Sequence, residues 1–287
     1  MSERIFTAAC VQLQASQNVA ANIDAAEALI REAAGTGADY VQTPEQTALM
    51  ELRTEALFAN IVAEEDDPAL ARLRALAREL RIWLHIGSLA IKVAADKAAN
   101  RAYVLSPEGE VAAAYDKIHM FDVDLPSGEV YRESKNYRAG ATAVTADLPW
   151  ARLGLSICYD LRFAYLYRAL AHAGAEVLAI PAAFTRQTGE AHWHVLQRAR
   201  AIETGCFVIS AAQGGRHENG RETYGHSLII SPWGEILAEA GSEPCVIAAR
   251  IDMAECAEAR RRIPVLSHDR VIEVAGMPAR PAGRAAE

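Results

Sequence analysis

Apolar residues recur at two spacings along this chain, and the switches between them predict its architecture. Residues 5–13 form an apolar run that reads as a buried strand. Residues 22–34 change to helical spacing, with Ala26, Leu29 and Ile30 on one face and Gly35 and Gly37 ending the helix. Residues 39–42 read as a short strand running into Thr43-Pro44-Glu45. Asp66-Asp67-Pro68 starts a second helix, because acids suit the positive helix N-terminus and proline fits its first turn. Leu70, Leu73, Leu76 and Leu80 then make a stripe suited to a core and too short for a zipper. Residues 82–90 are strand again, and 101–105 with 110–115 read as a hairpin around Ser106-Pro107-Glu108-Gly109.

The second half repeats the alternation. Residues 152–158 begin as a buried strand and end in the polar turn Tyr159-Asp160-Leu161-Arg162. A helix is predicted from Phe163 to about His172, a strand over 175–180 and a helix over 190–204 closed by Gly205. Strands follow over 207–212, 224–231 and 245–251, then a short helix over 253–262. From Ile263 the chain reads as an extended arm, fraying after about Gly276. Strands alternating with helices, with hairpins between, predict α/β layering with helices outside packed sheets. The stretch 121–140 has few periodic signals, and loops of about 20 residues in compact domains are usually functional or mobile.

Composition narrows the class. The chain has 287 residues, 51% hydrophobic and 23% charged, with no Pro/Gly/Ser-rich linker, which predicts one large domain over 1–275 and a flexible tail over 276–287. A net charge of −8 argues against a nucleic-acid surface. No apolar run approaches the roughly 20 residues of a membrane span, and the N-terminus enters a strand without a signal-peptide pattern. Five cysteines without a CxxC pattern fit a reducing cytoplasm and no disulfide framework.

Three polar residues follow strand ends: Glu45, Lys117 and Cys158. In α/β folds the rim outside the carboxyl ends of strands is where ligands bind. A thiol at a strand-to-helix corner is expected to be partly ionised by the helix N-terminus and a nearby cation, and so to act as a nucleophile. A cysteine nucleophile needs a base and oxyanion stabilisation, which Glu45 and Lys117 are suited to supply. Taken singly, each has a blander reading: a small buried hydrophobe, a loop carboxylate and a solvated lysine. Cys10, Cys206, Cys245 and Cys256 fit that blander reading by their apolar or Ala-rich flanks.

Thr43-Pro44-Glu45, Tyr115-Asp116-Lys117-Ile118-His119 and Gly154-x-x-Ile157-Cys158-Tyr159-Asp160-x-Arg162-Phe163 resemble the three signatures of the nitrilase superfamily of carbon–nitrogen hydrolases. The resemblance covers nearly the whole chain. It implies a four-layer α-β-β-α sandwich that usually dimerises, so a homodimer or larger homo-oligomer is expected. It implies Glu45 as general base, Lys117 at the tetrahedral intermediate, Cys158 as nucleophile and Glu133 as a second glutamate near the lysine. It further marks Tyr159, Arg162, Phe121, Phe184 and Thr185 as candidate oxyanion or substrate-binding residues.

Within the superfamily, Phe121-Asp122-Val123-Asp124-Leu125-Pro126 and Thr188-Gly189-Glu190-Ala191-His192-Trp193 are similar to the deaminated-glutathione amidase and omega-amidase branch. Ala211-Ala212-Gln213 with Tyr224-Gly225-His226-Ser227 leans to the former, and Phe163-Ala164 to the latter. His194 departs from the branch, whose members often carry Glu there. The implied reaction is hydrolysis of a small carboxylated amide through a thioester, preferably deaminated glutathione, with 2-oxoglutaramate or a nitrile as alternatives. A partner-binding scaffold is the reading from another class, and all three triad positions are present against it.

Arg132, Lys135, Arg138, Arg162 and Arg186 lie in or beside the loops expected to rim the site, and guanidinium groups suit carboxylates. Arg162 reads equally as a structural partner of Asp122, Asp160 or Glu133. No cofactor is expected, since no GxGxxG or P-loop pattern occurs. No metal is expected either: His192 and His194 point apart on a helix, and His217 and His226 have no ligand spacing.

Overall fold

The computed structural model describes residues 4–126, 128–272 and 275–276. In chain order the first half contains β1 (Ile5–Gln12), α1 (Val19–Gly35), β2 (Tyr40–Gln42), α2 (Thr54–Asn60), α3 (Pro68–Leu80), β3 (Trp83–Lys92), β4 (Ala98–Leu105) and β5 (Val111–Asp116). A small hairpin of β6 (Asp122–Asp124) and β7 (Val130–Arg132) precedes β8 (Thr145–Asp147), β9 (Arg152–Leu155), α4 (Ala164–His172), β10 (Val177–Ala179) and α5 (Arg186–Thr204). The remainder is β11 (Phe207–Ser210), β12 (Gly214–Arg216), β13 (Glu222–Tyr224), β14 (Leu228–Ile230), β15 (Ile236–Glu239), β16 (Cys245–Asp252) and α6 (Met253–Arg262).

Two six-stranded sheets carry the fold, in the orders β16-β1-β2-β3-β4-β5 and β15-β14-β11-β10-β9-β8. Side-chain alternation along the strands builds the layers. On β1, Phe6, Ala8 and Cys10 face the core shared with Leu153, Leu155 and Val177 of the second sheet. Ala9 and Val11 point the other way, against Ile23, Ile30, Leu70 and Leu73 of α1 and α3. On β4 the split repeats, with Ala102 and Val104 between the sheets and Tyr103 and Leu105 toward the helices. Leu166 and Leu170 of α4 and Trp193 and Ala201 of α5 cover the outer face of the second sheet. The order is therefore helices, sheet, sheet, helices: the mixed α/β sandwich expected. The central strands β9, β10 and β11 are parallel, joined by α4 and α5, and read as continuous apolar runs because both faces are buried.

The differences from expectation have local causes. α1 starts at Val19 because Asn18 caps it, its side chain accepting from the Ala21 N–H, while Asn22 donates instead to the carbonyls of Ser16 and Ala48. α5 starts four residues before Glu190, capped by Thr185; Gly189 sits in it because a Cβ there would meet the Tyr224 Cβ at 2.3 Å. The strand predicted over 224–231 is two strands, broken where Gly225 and His226 take φ of 71° and 53°. The helix after Cys158 begins only at Ala164; a 3₁₀ turn, Cys158–Arg162, intervenes. The region 121–140 contains the β6–β7 hairpin. The arm predicted to run extended from Ile263 instead turns at Val265–His268 and packs onto its own α4: Arg168 donates to the Val265 carbonyl at 2.7 Å and pairs with Asp269. The predicted tail over 276–287 lies outside the described residues apart from Gly276.

Candidate active site

Glu45, Lys117 and Cys158 follow the ends of β2, β5 and β9, and the packing of the two sheets brings them to one cavity of about 190 Å³. Each is fixed by its local backbone. β3 bulges between Ile86 and Leu89, and this irregularity grips the Glu45 loop. The Gly87 N–H donates to the Thr43 hydroxyl at 3.1 Å, the Thr47 N–H to the Ser88 carbonyl at 3.0 Å, and the Gln46 N–H to the Ser88 hydroxyl at 2.9 Å. Glycine is required in the bulge, since a Cβ at position 87 would lie 2.1 Å from the Thr43 carbonyl oxygen. Gln213, between β11 and β12, donates to the carbonyls of Glu45 and Gln46 at 3.0 and 3.2 Å.

Cys158 has φ of 51°, a left-handed corner that a non-glycine residue adopts at some cost. Asp160 braces this corner: its carboxylate accepts from the Ile157 N–H at 2.9 Å. It also accepts from the Tyr115 hydroxyl at 2.7 Å and the His119 N–H at 3.0 Å, tying the thiol corner to both flanks of Lys117. Asp160 is thus a brace between two of the motifs.

Lys117, 2% exposed, donates to Glu45 Oε1 at 2.8 Å and to both Glu133 oxygens at 3.0 and 2.9 Å. The Asn100 amide bridges the same two carboxylates at 2.8 and 3.1 Å. The Ala183 N–H donates to Glu45 Oε2 at 2.9 Å and the Phe121 N–H to Glu133 Oε2 at 2.6 Å. Burial opposes ionisation of Glu45, but the Lys117 charge and hydrogen bonds from Lys117 and the Cys158 thiol hold its carboxyl below the usual range. Burial likewise opposes the Lys117 charge, and Glu133 and Glu45 outweigh it and push its ammonium well up. The Cys158 thiol is driven well above its ordinary value, by burial first and the Glu45 charge second, with Lys117 pulling back only in part. This corrects the expected partial ionisation: the helix N-terminus begins six residues on, and burial dominates. The pair is thus a thiol beside a carboxylate, an arrangement in which a proton can pass from sulfur to oxygen.

Phe121, Tyr159, Arg162, Phe184 and Thr185 all line the cavity. Arg162 does not pair with Asp122, Asp160 or Glu133; its guanidinium lies 5.8 Å from the Tyr159 ring centre and 5.3 Å from that of Phe184, with His192 at 3.2 Å. Among the other predicted basic residues, Arg132 is paired with Asp124 at 2.7 Å, and Arg186 with Glu190 and Glu222. Lys135 and Arg138 are not among the lining residues.

Sequence reasoning missed Asn100 and Arg221. Asn100 lies near the start of β4, next to Arg101 and just outside the strand predicted over 101–105, so its only signal was a polar residue beside a strand; Arg221, in a charged turn before β13, gave none. It also separated His194, His226 and Glu239, which meet on the surface, with Glu239 Oε1 at 2.8 and 2.9 Å from the two rings. His217 lies between the Ala15 carbonyl and the Thr223 hydroxyl, and burial pulls it down to about 4, a neutral structural histidine.

A buried cation between two carboxylates, opening on a thiol, suits attack on an electrophilic carbon bonded to nitrogen. The chain belongs to the carbon–nitrogen hydrolase family, which it matches over residues 7–261. It is thus a hydrolase of carbon–nitrogen bonds. It is 41% identical to deaminated glutathione amidase of Synechocystis over 268 residues, 92% of this chain and 97% of that protein. It is 37% identical to omega-amidase NIT2 of Homo sapiens, covering 92% and 95%. The solved structure of the C. elegans NitFhit protein superposes with a TM-score of 0.87 at 35% identity, covering 94% of this chain and 66% of that one. No helix among the described residues is long and apolar enough to cross a membrane.

Proposed function

We propose that the chain is an amidase working through a Glu45–Lys117–Cys158 triad and a thioester acyl-enzyme. The observation that carries this reading is the hydrogen-bonded Glu45–Lys117–Glu133 cluster beside the Cys158 thiol. Glu45 takes the thiol proton as Cys158 attacks the amide carbonyl. Lys117 and the Tyr159 N–H hold the oxyanion. Glu45 returns the proton to the leaving amine, then takes one from the water that cleaves the thioester. Glu133 fixes the lysine against Glu45.

The acyl group is a small chain bearing a carboxylate, held by Arg162, whose guanidinium has no carboxylate partner among the described residues. The preferred substrate is deaminated glutathione, with 2-oxoglutaramate second. The first yields 2-oxoglutarate and Cys-Gly without ammonia; the second yields the same keto acid with ammonia. Side-by-side assays of purified protein are expected to give the higher kcat/KM for deaminated glutathione. A clear preference for 2-oxoglutaramate would reverse the order, and turnover of neutral amides or nitriles alone would remove the role of Arg162.

The active form is at least a homodimer in a reducing cytoplasm. Val195 and Ile202 on α5, Trp233 and Ile263 are more than half exposed, a concentration of apolar surface that suits a second subunit. Sedimentation at micromolar concentration is expected to show a dimer or larger species; a fully active monomer would overturn this.

A further inference from the structure

Arg221 is 9% exposed, lines the cavity that holds the Cys158 thiol, and makes no ion pair among the described residues. Its guanidinium donates to the Ala183 carbonyl at 2.5 Å and approaches the Met50 sulfur at 3.6 Å, and it lies 5.4 Å from the centre of the Tyr131 ring. Its Nε has no hydrogen-bond partner among the described residues. The Glu45 carboxylate feels the Arg221 charge but is already held by Lys117, and a buried cation with no carboxylate at ion-pair distance gains by receiving an anion. Lys117, the other buried cation of this cavity, shows the contrast, since two carboxylates surround it.

The two unpaired guanidiniums occupy different places. Arg162 sits over Phe184, whereas Arg221 is anchored on the carbonyl of the preceding residue, Ala183. Along the aromatic wall, Tyr159, Phe121 and Tyr131 stand between them, with successive ring centres 5.2 and 5.1 Å apart. A substrate with one carboxylate leaves one cation uncompensated. A substrate with a carboxylate on each side of the scissile amide satisfies both.

We propose that Arg221 is a second anion-binding residue, which receives a carboxylate carried on the amine side of the scissile bond. The inference rests on the amidase reading above and on Arg162 holding the acyl carboxylate. It makes the preferred substrate class N-acyl dipeptides or amino acids with a free C-terminal carboxylate and a carboxylated acyl chain. Deaminated glutathione belongs to that class, and 2-oxoglutaramate, with ammonia as its leaving group, does not.

The test uses two substrates with the same 2-oxoglutaryl chain: one joined to Cys-Gly with its free carboxylate, the other to Cys-Gly capped as the C-terminal amide. Wild-type protein is expected to favour the free carboxylate in kcat/KM by roughly 10- to 100-fold, the worth of a charge-assisted hydrogen bond. In Arg221→Gln that ratio is expected to collapse toward one, whatever fall the two substrates share. Arg221→Lys is expected to keep part of the ratio, because charge remains while the planar fork is lost. Equal rates on both substrates in the wild type overturn the inference even if neither variant folds. So does an undiminished ratio in folded Arg221→Gln. Hydrolysis of neither substrate by a wild type that does hydrolyse 2-oxoglutaramate overturns the inference alone, whereas hydrolysis of none of the three defeats the carboxylated-amide reading on which it rests.

Discussion

Cys158→Ala is expected to lose amide hydrolysis by a factor on the order of 10⁶ in kcat while keeping its fold. The proposed covalent step needs sulfur, which alanine lacks. The backbone strain at φ 51° is borne by cysteine already, so alanine adds none. The hydrogen bonds that hold the turn run through Asp160 and the Cys158 N–H, which donates to the Pro181 carbonyl at 2.9 Å, and these persist in the variant. Continuous assay of acid release, paired with a thermal melt followed by circular dichroism, checks both halves. Turnover within about tenfold of wild type would remove the thioester from the mechanism.

Lys117→Met should damage activity and stability together. The loss of an oxyanion donor is expected to cost at least about 10²–10³ in kcat. Removing one partner of a buried charge cluster costs about 3–5 kcal/mol. Glu45 and Glu133 would then share the Asn100 amide with no cation between them, so one carboxyl should hold its proton to higher pH. The pH dependence of stability should therefore change sign. In the wild type the Glu45 carboxyl is depressed, so its contribution is present above the ordinary glutamate value of 4.5 and fades as pH falls through its lower folded value. In the variant a raised carboxyl binds protons more tightly folded than unfolded, so stability is lost as pH rises. Denaturant melts at pH 5 and pH 8 distinguish the two. A variant as stable at pH 8 as at pH 5 would show that the lysine does not neutralise this pair.

The motif residues were legible because strand ends in α/β folds present side chains at a rim, and the sequence pattern places Glu45, Lys117 and Cys158 at such ends. The layers were legible for the same reason, through the switch of apolar period between strands and helices. Asn100 was not, because its meaning depends on two carboxylates 55 and 33 residues away. Arg221 looked like one more turn cation; its burial comes from Met50, Tyr131 and Ala183, distant in sequence. The ionisation of Cys158 was misjudged because burial competes with a neighbouring charge, and only packing sets the depth of burial. Elements of three or four residues, such as β8 and β15, carry too little pattern to separate from loops.

The pairing of β1 with β16 has a consequence for how the chain is made. β1 leaves the ribosome long before β16, the strand that covers its outer edge. Until residue 245 emerges, that edge offers free backbone groups along an apolar strand, a template for pairing with other nascent chains. Glu45 and Lys117 are also synthesised well before Cys158, on the sheet that closes last. A chain interrupted before the closing strand therefore keeps an exposed pairing edge and is a hazard to solubility.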